Sequence, residues 1–436
     1  MNIVIIGAGF GGLRLARKLN NKPGFEVTLI DRFNYHQFQP LFYQVATSAL
    51  DASNISFPLR KAFHKSNNVR IRLGELKEII TSAKSVVMDT GEIHYDVLVI
   101  ATGADTNFFG NKNLKEYSFP MKSTVEALQL RHRLIQIFED ALLAHTKEEL
   151  ISLLTIVIVG GGPTGVEMSG AIAEMRKYVL PKDYPEIDFS LMKIYLLEGT
   201  GKTLGAMSEK SSSQSRKYLE QLGVTVMTDT IVKDYDGDQV TLQSGQTISS
   251  RLVIWAAGIQ GNVPAGILPE LVVRGNRIKV NRHGQVEGFE NIYAIGDVAY
   301  LESPKYPKGQ PQVASVAIQQ ADNLVHNLRM IERKSSKDKF LEFEYHDKGS
   351  MATVGRNLAV VDIPKPRLHF GGFFAWLIWM GLHLVLILGV KNRLFVFLNW
   401  IYNYITYDQS LRLIFKAFYR EPKKTVGESK PMAESK

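Results

Sequence analysis

A glycine-rich turn with the pattern G-x-G-x-x-G occurs twice in this chain, each time between an apolar strand-like segment and a helical one. The first turn, Gly7–Gly12, follows the apolar run Ile3–Ile6, and the second, Gly160–Gly165, follows the β-branched run Thr155–Val159. Glycines in this pattern permit a tight turn, a close approach of the backbone to a pyrophosphate, and close packing of the helix on the strand. The repeat therefore predicts an α/β fold with two Rossmann-like dinucleotide-binding domains.

An acidic residue follows the second strand of the first unit, at the position from which a carboxylate binds a ribose hydroxyl. This residue is Asp31, which comes directly after the segment Glu26–Ile30 and 19 residues after Gly12. The pyrophosphate of the same ligand is expected at the N-terminus of the helix predicted over Leu13–Leu19, because free N–H groups and the helix dipole favour an anion there. The first unit therefore has every part of the dinucleotide-binding pattern: the strand, the turn, the helix and the acid. Together they predict a bound dinucleotide.

The second unit places its acid, Glu198, at the end of the strand predicted over Lys193–Leu197. The spacing from Gly165 is 33 residues, which is longer than the usual separation of about 20. Pro181 and Pro185 explain the excess, since they end a helix and open a loop before the strand. A carboxylate at this position accepts hydrogen bonds from a free 2′-hydroxyl and repels a 2′-phosphate, so the sequence favours NADH over NADPH.

Two dinucleotides in one chain imply that electrons pass between them. A flavin is the natural partner of a nicotinamide, because it accepts a hydride and can pass electrons on. The sequence contains no cysteine, which excludes cysteine-ligated iron–sulfur clusters and thiol–disulfide chemistry beside a flavin. We therefore expect FAD and NADH as the cofactors, and we expect no metal.

Several motifs give the chain a resemblance to the type II NADH dehydrogenases, which are single-subunit NADH:quinone oxidoreductases. The resemblance extends from residue 3 to about residue 420, where the apolar C-terminal region ends. Its motifs are, in chain order, Gly7–Gly12, Gln39–Thr47, Ala101–Gly103, Gly160–Glu167, Ala257–Gly258, Gly296–Asp297 and Ala314–Gln319. Several of these are generic to flavoprotein reductases, whereas the last motif and the apolar C-terminus are specific to the family.

The resemblance implies roles for residues that the glycine pattern does not reach. The acid of the Gly296-Asp297 pair would bind the FAD ribityl chain, and the turn Ala101-Thr102-Gly103 would pass close to the FAD. Glu167, just after the second glycine turn, would lie near the flavin and nicotinamide rings. Its simpler interpretation is an acid in the first turn of a helix, where the helix dipole favours it, and both interpretations can hold together.

The quinone motif of the family reads Ala-Gln-x-Ala-x-Gln, and in this chain Ser315 replaces the first glutamine. Serine is shorter, which argues against a direct bond from this position to a quinone carbonyl. Gln319 remains as a candidate donor, while Ala314 and Ser315 would act through backbone N–H groups that face the flavin. The alternative is an ordinary helix N-terminus with small residues for packing.

The candidate site residues fall into two groups. Glu167 and Gln319 are the candidate catalytic residues. The candidate cofactor-binding residues are Gly7, Ala8, Gly9, Gly11, Gly12, Asp31, Arg32, Ala101, Thr102, Gly103, Gly160, Gly161, Gly162, Gly165, Glu198, Gly258, Gly296, Asp297, Ala314 and Ser315.

The C-terminal part of the chain has a different composition. Residues 371–390 contain no charged residue, and 20 residues suffice in principle to cross a hydrocarbon core of about 30 Å. Between Lys391 and Lys424, seven basic residues accompany two acidic ones, so part of the net charge of +9 is concentrated beside the apolar run. Apolar residues also recur there at helical spacing, namely Leu394, Phe397, Leu398, Ile401 and Ile405.

Three interpretations of this region compete: one transmembrane helix, a pair of helices lying in the membrane surface, and a dimer interface or buried core. Aromatic and basic residues beside an apolar helix fit an interfacial anchor on anionic lipid. A quinone is lipid-soluble and must reach the flavin from the bilayer. We therefore favour the surface anchor over the spanning helix.

The resemblance also implies a glutathione-reductase-like arrangement, in which the NADH-binding domain is inserted in the FAD-binding domain and a C-terminal helical membrane anchor follows. The expected boundaries are residues 1–120 and 289–350 for the FAD-binding domain, 121–288 for the NADH-binding domain, 351–420 for the membrane-anchoring region and 421–436 for a disordered tail. Further strands are expected over Tyr95–Ile100, Arg251–Ala256 and Asn291–Ile295, and a helical stretch is expected over residues 123–150.

These features predict a membrane-associated, FAD-dependent enzyme that transfers electrons from NADH to a membrane quinone, ubiquinone or menaquinone, without pumping protons. No signal-peptide pattern precedes the first strand, so we expect the protein as a peripheral, monotopic enzyme on the cytoplasmic face of the inner membrane. The expected partners are NADH, the quinone and the bilayer surface. We expect no nucleic acid, and a homodimer is left open.

Two alternatives remain at this point. A soluble-type NADH-dependent ferredoxin or rubredoxin reductase would share both glycine turns but would not need the segment after Gly371. A non-catalytic, redox-responsive flavoprotein resembling the apoptosis-inducing factors would bind NADH but turn over quinone poorly. A sulfide:quinone oxidoreductase would have a similar fold and anchor, but it needs the cysteines that this chain lacks.

Overall fold

The computed structural model of the chain describes residues 1–415. The predicted tail over residues 421–436 lies outside the described residues, and so do four of the seven basic residues near the C-terminus. These four are Lys416, Arg420, Lys423 and Lys424.

The first sheet has five parallel strands, with the strand before the first glycine turn at its centre. In spatial order the strands are Ile292–Ala294, Val97–Ile100, Asn2–Ile6, Glu26–Asp31 and Val69–Leu73. Residues 3–6 are almost fully buried, as expected for a central parallel strand that is covered on both faces. Because Ile292–Ala294 pairs with Val97–Ile100, the chain leaves this sheet and later returns to it.

Two helices pack on one face of this sheet. They are Phe10–Leu19, which follows the first glycine turn, and Ala314–Glu332, which comes after the chain has returned to the first sheet. Across their contact, the guanidinium of Arg14 donates to both carboxylate oxygens of Asp322 at 2.8 and 2.9 Å. Both side chains are partly exposed, so the pair fixes geometry more than it adds stability. The packing holds the N-terminus of the later helix beside the first glycine turn.

The second glycine turn stands on a sheet of four parallel strands. In spatial order these are Thr225–Met227, Lys193–Leu197, Thr155–Val159 and Leu252–Trp255. The helix Pro163–Tyr178 follows the turn, and the helix Glu209–Gln221 precedes the outermost strand. The βαβ unit that the sequence predicts twice is therefore present twice.

The predicted strands are present, and their ends differ from the predicted ends by at most two residues. The helical stretch expected over residues 123–150 is two helices, Thr124–Ala141 and Lys147–Leu154. Each begins at its own capping side chain, Ser123 for the first and Thr146 for the second. Thr146 Oγ1 accepts the N–H of Glu149, and this cap favours the start of a new helix at Lys147.

The other elements are short, and they flank or connect the two parallel sheets. Two pairs of short strands form two-stranded sheets: Tyr35–Gln37 with Ser56–Pro58, and Ala104–Thr106 with Ile259–Gly261. Three further sheets have three strands each. They consist of Leu76–Ile80, Ser85–Met88 and Gly91–His94; of Val232–Tyr235, Gln239–Leu242 and Thr247–Ser249; and of Val272–Val273, Arg277–Val280 and Ala299–Leu301. The short helices are Phe42–Ala46, Leu59–Ala62, Lys112–Tyr117 and Leu180–Asp183. The pair of strands at residues 104–106 and 259–261 lies where the chain passes between the two parallel sheets.

An antiparallel sheet and two helices form the C-terminal region. The strands are Ser350–Gly355, Leu358–Ile363 and Leu368–Gly371, and the helices are Phe373–Leu386 and Val390–Thr406. The expected helical region begins at residue 351, but helix is found only from residue 373 onward. The segments 352–354 and 359–361 are buried and contain small and β-branched residues, which favour strands.

The apolar run over residues 371–390 does not form one continuous helix. The helix Phe373–Leu386 ends at Ile387, whose backbone is extended, and Gly389 adopts a φ of +85° before the next helix. A φ of this sign favours glycine. Among the helices of residues 1–415, none combines the length and the apolar composition that crossing a membrane requires.

The C-terminal sheet lies against the helix Pro163–Tyr178 at a glycine. A Cβ atom on Gly170 would lie 1.5 Å from the carbonyl oxygen of Val354. Only a residue without a side chain allows two backbones to approach this closely. Gly170 therefore sets the distance between this helix and the strand Ser350–Gly355.

We expect Gly170→Ala to destabilise the protein by about 3 kcal/mol or more, because the added methyl group overlaps a backbone atom that cannot rotate away. Thermal unfolding followed by circular dichroism measures the change. Gly381→Ala is the matched control, since a Cβ at that helical glycine meets no atom within 4 Å. Equal melting temperatures for the two variants would contradict the close packing at Gly170.

Candidate active site

The first glycine turn closes against the end of the neighbouring strand. Gly7 has a φ of +100°, and a Cβ on it would lie 2.3 Å from the carbonyl oxygen of Ala101. A Cβ on Gly12 would lie 1.9 Å from the carbonyl oxygen of Gly7. A Cβ on Gly9 would meet no protein atom within 4 Å. The turn thus needs Gly7 and Gly12 for its own folding, whereas Gly9 faces open space.

The second glycine turn has the same geometry. Gly160 has a φ of +109°, and a Cβ on it would lie 2.7 Å from the backbone of Ala256. A Cβ on Gly165 would lie 1.9 Å from the carbonyl oxygen of Gly160, and a Cβ on Gly162 would meet nothing within 4 Å. Both predicted turns are therefore built in the same way, each with one glycine that faces open space.

Each predicted acid binds the backbone of its own glycine turn. Asp31 Oδ2 accepts a hydrogen bond from the N–H of Ala8 at 2.6 Å, and Glu198 Oε2 accepts one from the N–H of Gly161 at 2.6 Å. The second oxygen of each carboxylate accepts from the N–H two residues further along, at 2.7 and 2.8 Å. Burial raises the pKa of Asp31, and its backbone hydrogen bonds oppose that shift. Both carboxylates are held where a dinucleotide of this fold presents its ribose.

The helices that follow the two turns have free N-termini. Phe10–Leu19 begins after Gly9 and Pro163–Tyr178 begins after Gly162, and neither has a capping side chain or an acid in its first turn. Free N–H groups and the helix dipole favour a pyrophosphate at such an end. The open space at both glycines, together with the two fixed carboxylates, fits one dinucleotide at each turn.

Three more predicted segments meet at the carboxyl edge of the first sheet. Thr102 Oγ1 donates to a backbone carbonyl at 2.6 Å, and Gly103 has a φ of +70°. Gly296 donates its N–H to Oε1 of Gln320 at 2.6 Å. Ala314 is the first residue of the helix that packs beside the first glycine turn. Ligands of open α/β sheets bind at this edge, so the structure brings these predicted residues together, and it adds Gln320, which the sequence did not indicate.

Asp297 lies near two basic side chains. Burial raises the pKa of Asp297, and the positive charges of Lys122 and Arg277 oppose that shift. Burial also lowers the pKa of the Lys122 ammonium. The Arg277 guanidinium packs on Tyr300, with Cζ 4.6 Å from the ring centroid. Sequence reasoning missed both basic residues, because neither stands near Asp297 in the chain or belongs to a glycine motif.

Two predicted cofactor residues contact aromatic rings. Cζ of Arg32 lies 5.2 Å from the ring centroid of Phe33. Gly258 has a φ of +79°, and a Cβ on it would lie 2.9 Å from the ring of Phe109. Each follows the carboxyl end of a parallel strand, so each lies on the same sheet edge as a glycine turn.

A cleft lies between the helix Pro163–Tyr178, the C-terminal sheet and the two C-terminal helices. Its volume is about 840 Å³ when the space open to solvent is included. One face of the helix lines it, at intervals of three and four residues, with Glu167, Ala171, Glu174 and Tyr178. The other walls are mainly aromatic, and they include Tyr43, Gln44, Thr353, Arg356, Trp376, Trp379, Trp400 and Tyr404.

Glu167 lies at the end of the cleft nearest the second glycine turn. It is buried, and burial raises its pKa to about 8. The N–H of Thr353, which lies 3.4 Å from Oε1, opposes this shift. The helix begins at Pro163, so Glu167 stands beyond its first turn, and the helix-dipole interpretation is wrong. A carboxyl that can hold a proton near neutral pH inside a cleft is a candidate acid–base group.

The polar groups of the predicted quinone motif are bound to another loop. Gln319 Nε2 donates to the carbonyl oxygen of His346 at 2.9 Å, and Gln319 Oε1 accepts from the N–H of His346 at 3.0 Å. Ser315 Oγ lies 2.8 Å from the hydroxyl of Tyr345. Neither Gln319 nor Ser315 is among the residues that line the cleft beside Glu167. A quinone-facing role for Gln319 therefore stays a prediction.

A chain of hydrogen bonds fixes one wall of the cleft. Trp400 Nε1 donates to Gln44 Oε1 at 2.7 Å, and Gln44 Nε2 donates to the hydroxyl oxygen of Tyr43 at 2.8 Å. The Tyr43 hydroxyl thus keeps its own hydrogen for another acceptor. In the sequence, Tyr43 and Gln44 stand out only as part of the motif Gln39–Thr47. The feature that could have indicated their role is a pair of polar groups within an apolar and aromatic segment.

The chain matches two families and several characterised relatives. Residues 1–321 match the pyridine nucleotide-disulphide oxidoreductase family, and residues 347–406 match the NDH2 C-terminal domain. The type II NADH:quinone oxidoreductase Ndh of Mycobacterium tuberculosis is 34% identical over 420 residues, which cover 93% of this chain and 88% of that protein. The type II NADH:quinone oxidoreductase of Haemophilus influenzae is 28% identical over 414 residues, which cover 88% of this chain and 92% of that protein.

A solved structure shows the same fold. NDH2 from Plasmodium falciparum in complex with NADH has a TM-score of 0.86 to this chain at 23% identity, and the match covers 95% of this chain and 99% of that one. The architecture found here is thus the α/β fold of the pyridine nucleotide-disulphide oxidoreductases.

We expect Gly9→Val and Gly162→Val to separate the two dinucleotide sites. A Cβ at either position meets no protein atom, so both variants should fold, but a valine fills the space that a pyrophosphate would use. Gly9→Val should lose bound FAD, measured as flavin absorbance of the purified protein. Gly162→Val should keep FAD and raise the KM for NADH by about tenfold or more.

Melting temperatures of both variants show whether they are folded. A Gly162→Val protein that loses its flavin while Gly9→Val keeps it would reverse the assignment of the two turns.

Proposed function

Because the chain belongs to the type II NADH:quinone oxidoreductases of the pyridine nucleotide-disulphide oxidoreductase family, we propose that it reduces its quinone at a membrane surface, in the aromatic cleft. The protein is an FAD-dependent NADH:quinone oxidoreductase. The observation that carries the membrane part of the proposal is an outward-facing apolar stripe on the same two helices whose inner faces line the cleft.

We assign FAD to the first glycine turn and NADH to the second. In this assignment, residues 1–120 and 289–350 bind FAD and residues 121–288 bind NADH. The return of the strand Ile292–Ala294 to the first sheet supports it, because this strand leads directly to Gly296 and Asp297. Bound FAD supplies the redox chemistry, in which two electrons are taken from NADH and two are given to the quinone.

The residues of the chain bind and orient these groups. Asp31 and Glu198, fixed on their glycine turns, would accept hydrogen bonds from the ribose hydroxyls of bound FAD and NADH. Asp297 would hold the ribityl chain, and Lys122 and Arg277 balance the charge of the Asp297 carboxylate. Glu167 holds a proton beside the quinone ring, and the walls of the cleft exclude bulk water from it.

Exposed apolar side chains form one face of the helix Phe373–Leu386. They stand at helical spacing, and among them Phe374 is 70% exposed and Val385 is 67% exposed. The opposite face is buried and contains Trp379 and His383. A helix that shows an apolar face to solvent as well as to the core marks a surface that contacts a membrane or a partner.

The helix Val390–Thr406 has the same arrangement. The apolar residues predicted at helical spacing are all exposed, namely Leu394, Phe397, Leu398, Ile401 and Ile405. Asn392 and Asn403 instead donate to backbone carbonyls of the body of the protein, at 3.0 and 3.1 Å. Large apolar side chains thus face outward as well as inward, whereas an ordinary surface helix shows polar residues to solvent.

A bilayer surface fits this face better than water does. Lys391 and Arg393 stand at the beginning of the second stripe, and exposed aromatic residues lie within it. Apolar, aromatic and basic residues together suit the interface of an anionic membrane. We place that interface on the cytoplasmic side of the inner membrane, where NADH is available. A second copy of the chain that covers the stripe is the alternative occupant.

We expect the purified, FAD-loaded protein to oxidise NADH much faster with a short-chain quinone than without it. The absorbance of NADH follows the reaction. Stimulation by a ferredoxin and not by a quinone would identify a soluble-type reductase. Binding of NADH without stimulation by either acceptor would identify a non-catalytic flavoprotein, and each of these results would contradict the proposed function.

We expect a Val385→Glu, Leu398→Glu double variant to lose binding to anionic vesicles, because it places two charges in the outward stripe. It should keep its rate with a short-chain quinone and lose most of its rate with a long-chain quinone in vesicles. Leu143→Glu is the matched control, since Leu143 is 74% exposed outside the two C-terminal helices. Undiminished vesicle binding by the double variant would contradict the membrane assignment, and a dimer-to-monomer change by sedimentation would favour the second copy.

We expect the wild-type protein to use NADH at least about tenfold better than NADPH, and Glu198→Gln to reduce this preference. The carboxylate repels a 2′-phosphate, whereas the neutral amide does not. Values of kcat/KM for both nucleotides measure the effect, and unchanged FAD content shows that only the second site is altered. Equal values for the two nucleotides in the wild type would contradict the role of Glu198.

A further inference from the structure

The half of the cleft away from the glycine turn contains a second carboxyl group. Glu174 stands seven residues after Glu167 on the same helix, which places it about 10 Å further along at 1.5 Å per residue. Both side chains line the cleft. Glu167 is buried and Glu174 is partly exposed, so Glu174 is the more accessible of the two residues.

The turn after the strand Ser350–Gly355 holds Glu174 in place. Its Oε1 accepts a hydrogen bond from the N–H of Arg356 at 2.7 Å. Gly355 makes room for this contact, because a Cβ there would lie 2.9 Å from the same oxygen. Burial raises the pKa of Glu174 to about 6, while the Arg356 hydrogen bond and the charges of Arg356 and Lys177 oppose the shift. Glu174 can therefore gain and lose a proton close to neutral pH.

The guanidinium of Arg356 lies in the same half of the cleft between two tyrosine rings. Its Cζ is 3.8 Å from the ring centroid of Tyr404 and 4.0 Å from that of Tyr407, and Nη2 donates to the carbonyl oxygen of Tyr404. Nε and Nη1 are buried and have no hydrogen-bond partner in the described part of the chain. Buried N–H groups without an acceptor are costly, so they point to bound water or to a ligand oxygen.

Tyr43 lies close enough to both carboxyl groups for their negative charges to affect the pKa of its hydroxyl. Burial raises the pKa of its hydroxyl well above the usual value, and the charges of Glu167 and Glu174 both add to this. The hydroxyl oxygen accepts a hydrogen bond from Gln44, which leaves the hydroxyl hydrogen available for a neighbour. A hydroxyl whose hydrogen has no assigned acceptor thus lines the same cleft as both glutamates.

Quinone reduction needs one proton from solution in each cycle. In the overall reaction, NADH, one proton and the quinone give NAD⁺ and the quinol. NADH supplies two electrons and one hydrogen nucleus, so the second hydrogen of the quinol comes from water. Because Glu167 is buried, this proton needs a path from solvent to the inner part of the cleft.

We propose that Glu174 is the proton intake of the quinone cleft. Its carboxyl takes a proton from solvent and releases it toward the Tyr43 hydroxyl and Glu167, and Glu167 gives its own proton to a quinone oxygen. Each carboxyl gains and loses one proton per cycle, and no electron passes through either. Arg356 stabilises Glu174 while it is ionised. The inference rests on the proposed quinone site beside Glu167.

The groups that face Glu174 come from every element packed around it. They are Arg356 from the C-terminal sheet, Tyr43 from the helix Phe42–Ala46, Tyr404 and Tyr407 from the last helix and its end, and Glu167, Lys177 and Tyr178 from its own helix. Of the two glutamates that line the cleft, Glu174 is the more exposed to solvent. Its protonation therefore sets the pH dependence of proton intake.

Glu174→Gln tests the inference, because glutamine keeps the shape and the oxygen that accepts the Arg356 N–H but carries no transferable acid proton. We expect the rate with a short-chain quinone to fall by about tenfold or more around neutral pH. The rate with ferricyanide, which takes electrons but no proton, should stay at the wild-type value. Added acetate, a small acid that can reach the cleft, should restore part of the quinone rate in the variant only.

The pH profile supplies a second measurement. Glu174 is protonated below its pKa of about 6, so the wild-type rate with quinone should decline as the pH rises above that value. Glu174→Gln should lack this decline. Glu174→Asp should keep it with a lower rate. Glu186→Gln, at an exposed glutamate in the loop after the short helix Leu180–Asp183, should behave as the wild type.

Two results would overturn the inference. If the quinone and ferricyanide rates fall together without acetate rescue, Glu174 only supports the fold, and melting temperature and FAD content would show the damage. If the quinone rate and its pH profile are unchanged, Glu174 does not take up the proton. Both results presuppose a wild-type protein that turns over quinone. A wild type without quinone-stimulated turnover would instead overturn the proposed function itself.

Discussion

The backbone contact between Gly170 and Val354 is the constraint on which the aromatic cleft depends. It holds the C-terminal sheet against the second glycine-turn helix with no side chain between them. At this distance the strand reaches both carboxyls of the helix, since Thr353 lies beside Glu167 and the turn after the strand binds Glu174. The same approach removes water from these groups and raises their pKa. One glycine thus fixes both the shape of the cleft and the acidity of its walls.

The two glycine turns have the same local geometry but different surroundings. Each turn carries an acid on its own backbone and a helix with a free N-terminus, so each is suited to a dinucleotide. Their helices differ in what covers them. The first packs against the helix Ala314–Glu332, whereas the second packs against the C-terminal sheet. Binding geometry is therefore repeated, and the cleft lined by Glu167 lies beside the second turn.

The two C-terminal helices contribute both to the walls of the cleft and to the outward apolar surface. Their inner faces supply Trp379 and Trp400 to the cleft, and their outer faces present apolar side chains to the surroundings. An interfacial helix of this kind can deliver a lipid-soluble substrate to a buried carboxyl without a membrane-spanning segment. The asparagines that tie the last helix to the body keep both faces in this orientation.

The sequence by itself determined the two dinucleotide units, their acids Asp31 and Glu198, the absence of thiol chemistry and the apolar stripe of the last helix. These features rest on local spacing, which one strand, turn or helix is enough to express. The tertiary structure alone decided that residues 371–390 are not one helix, that Gln319 binds the backbone of His346, and that Arg356 meets Glu174. Such partners are far apart in the chain, and their contact depends on how separate elements pack, which no local pattern records.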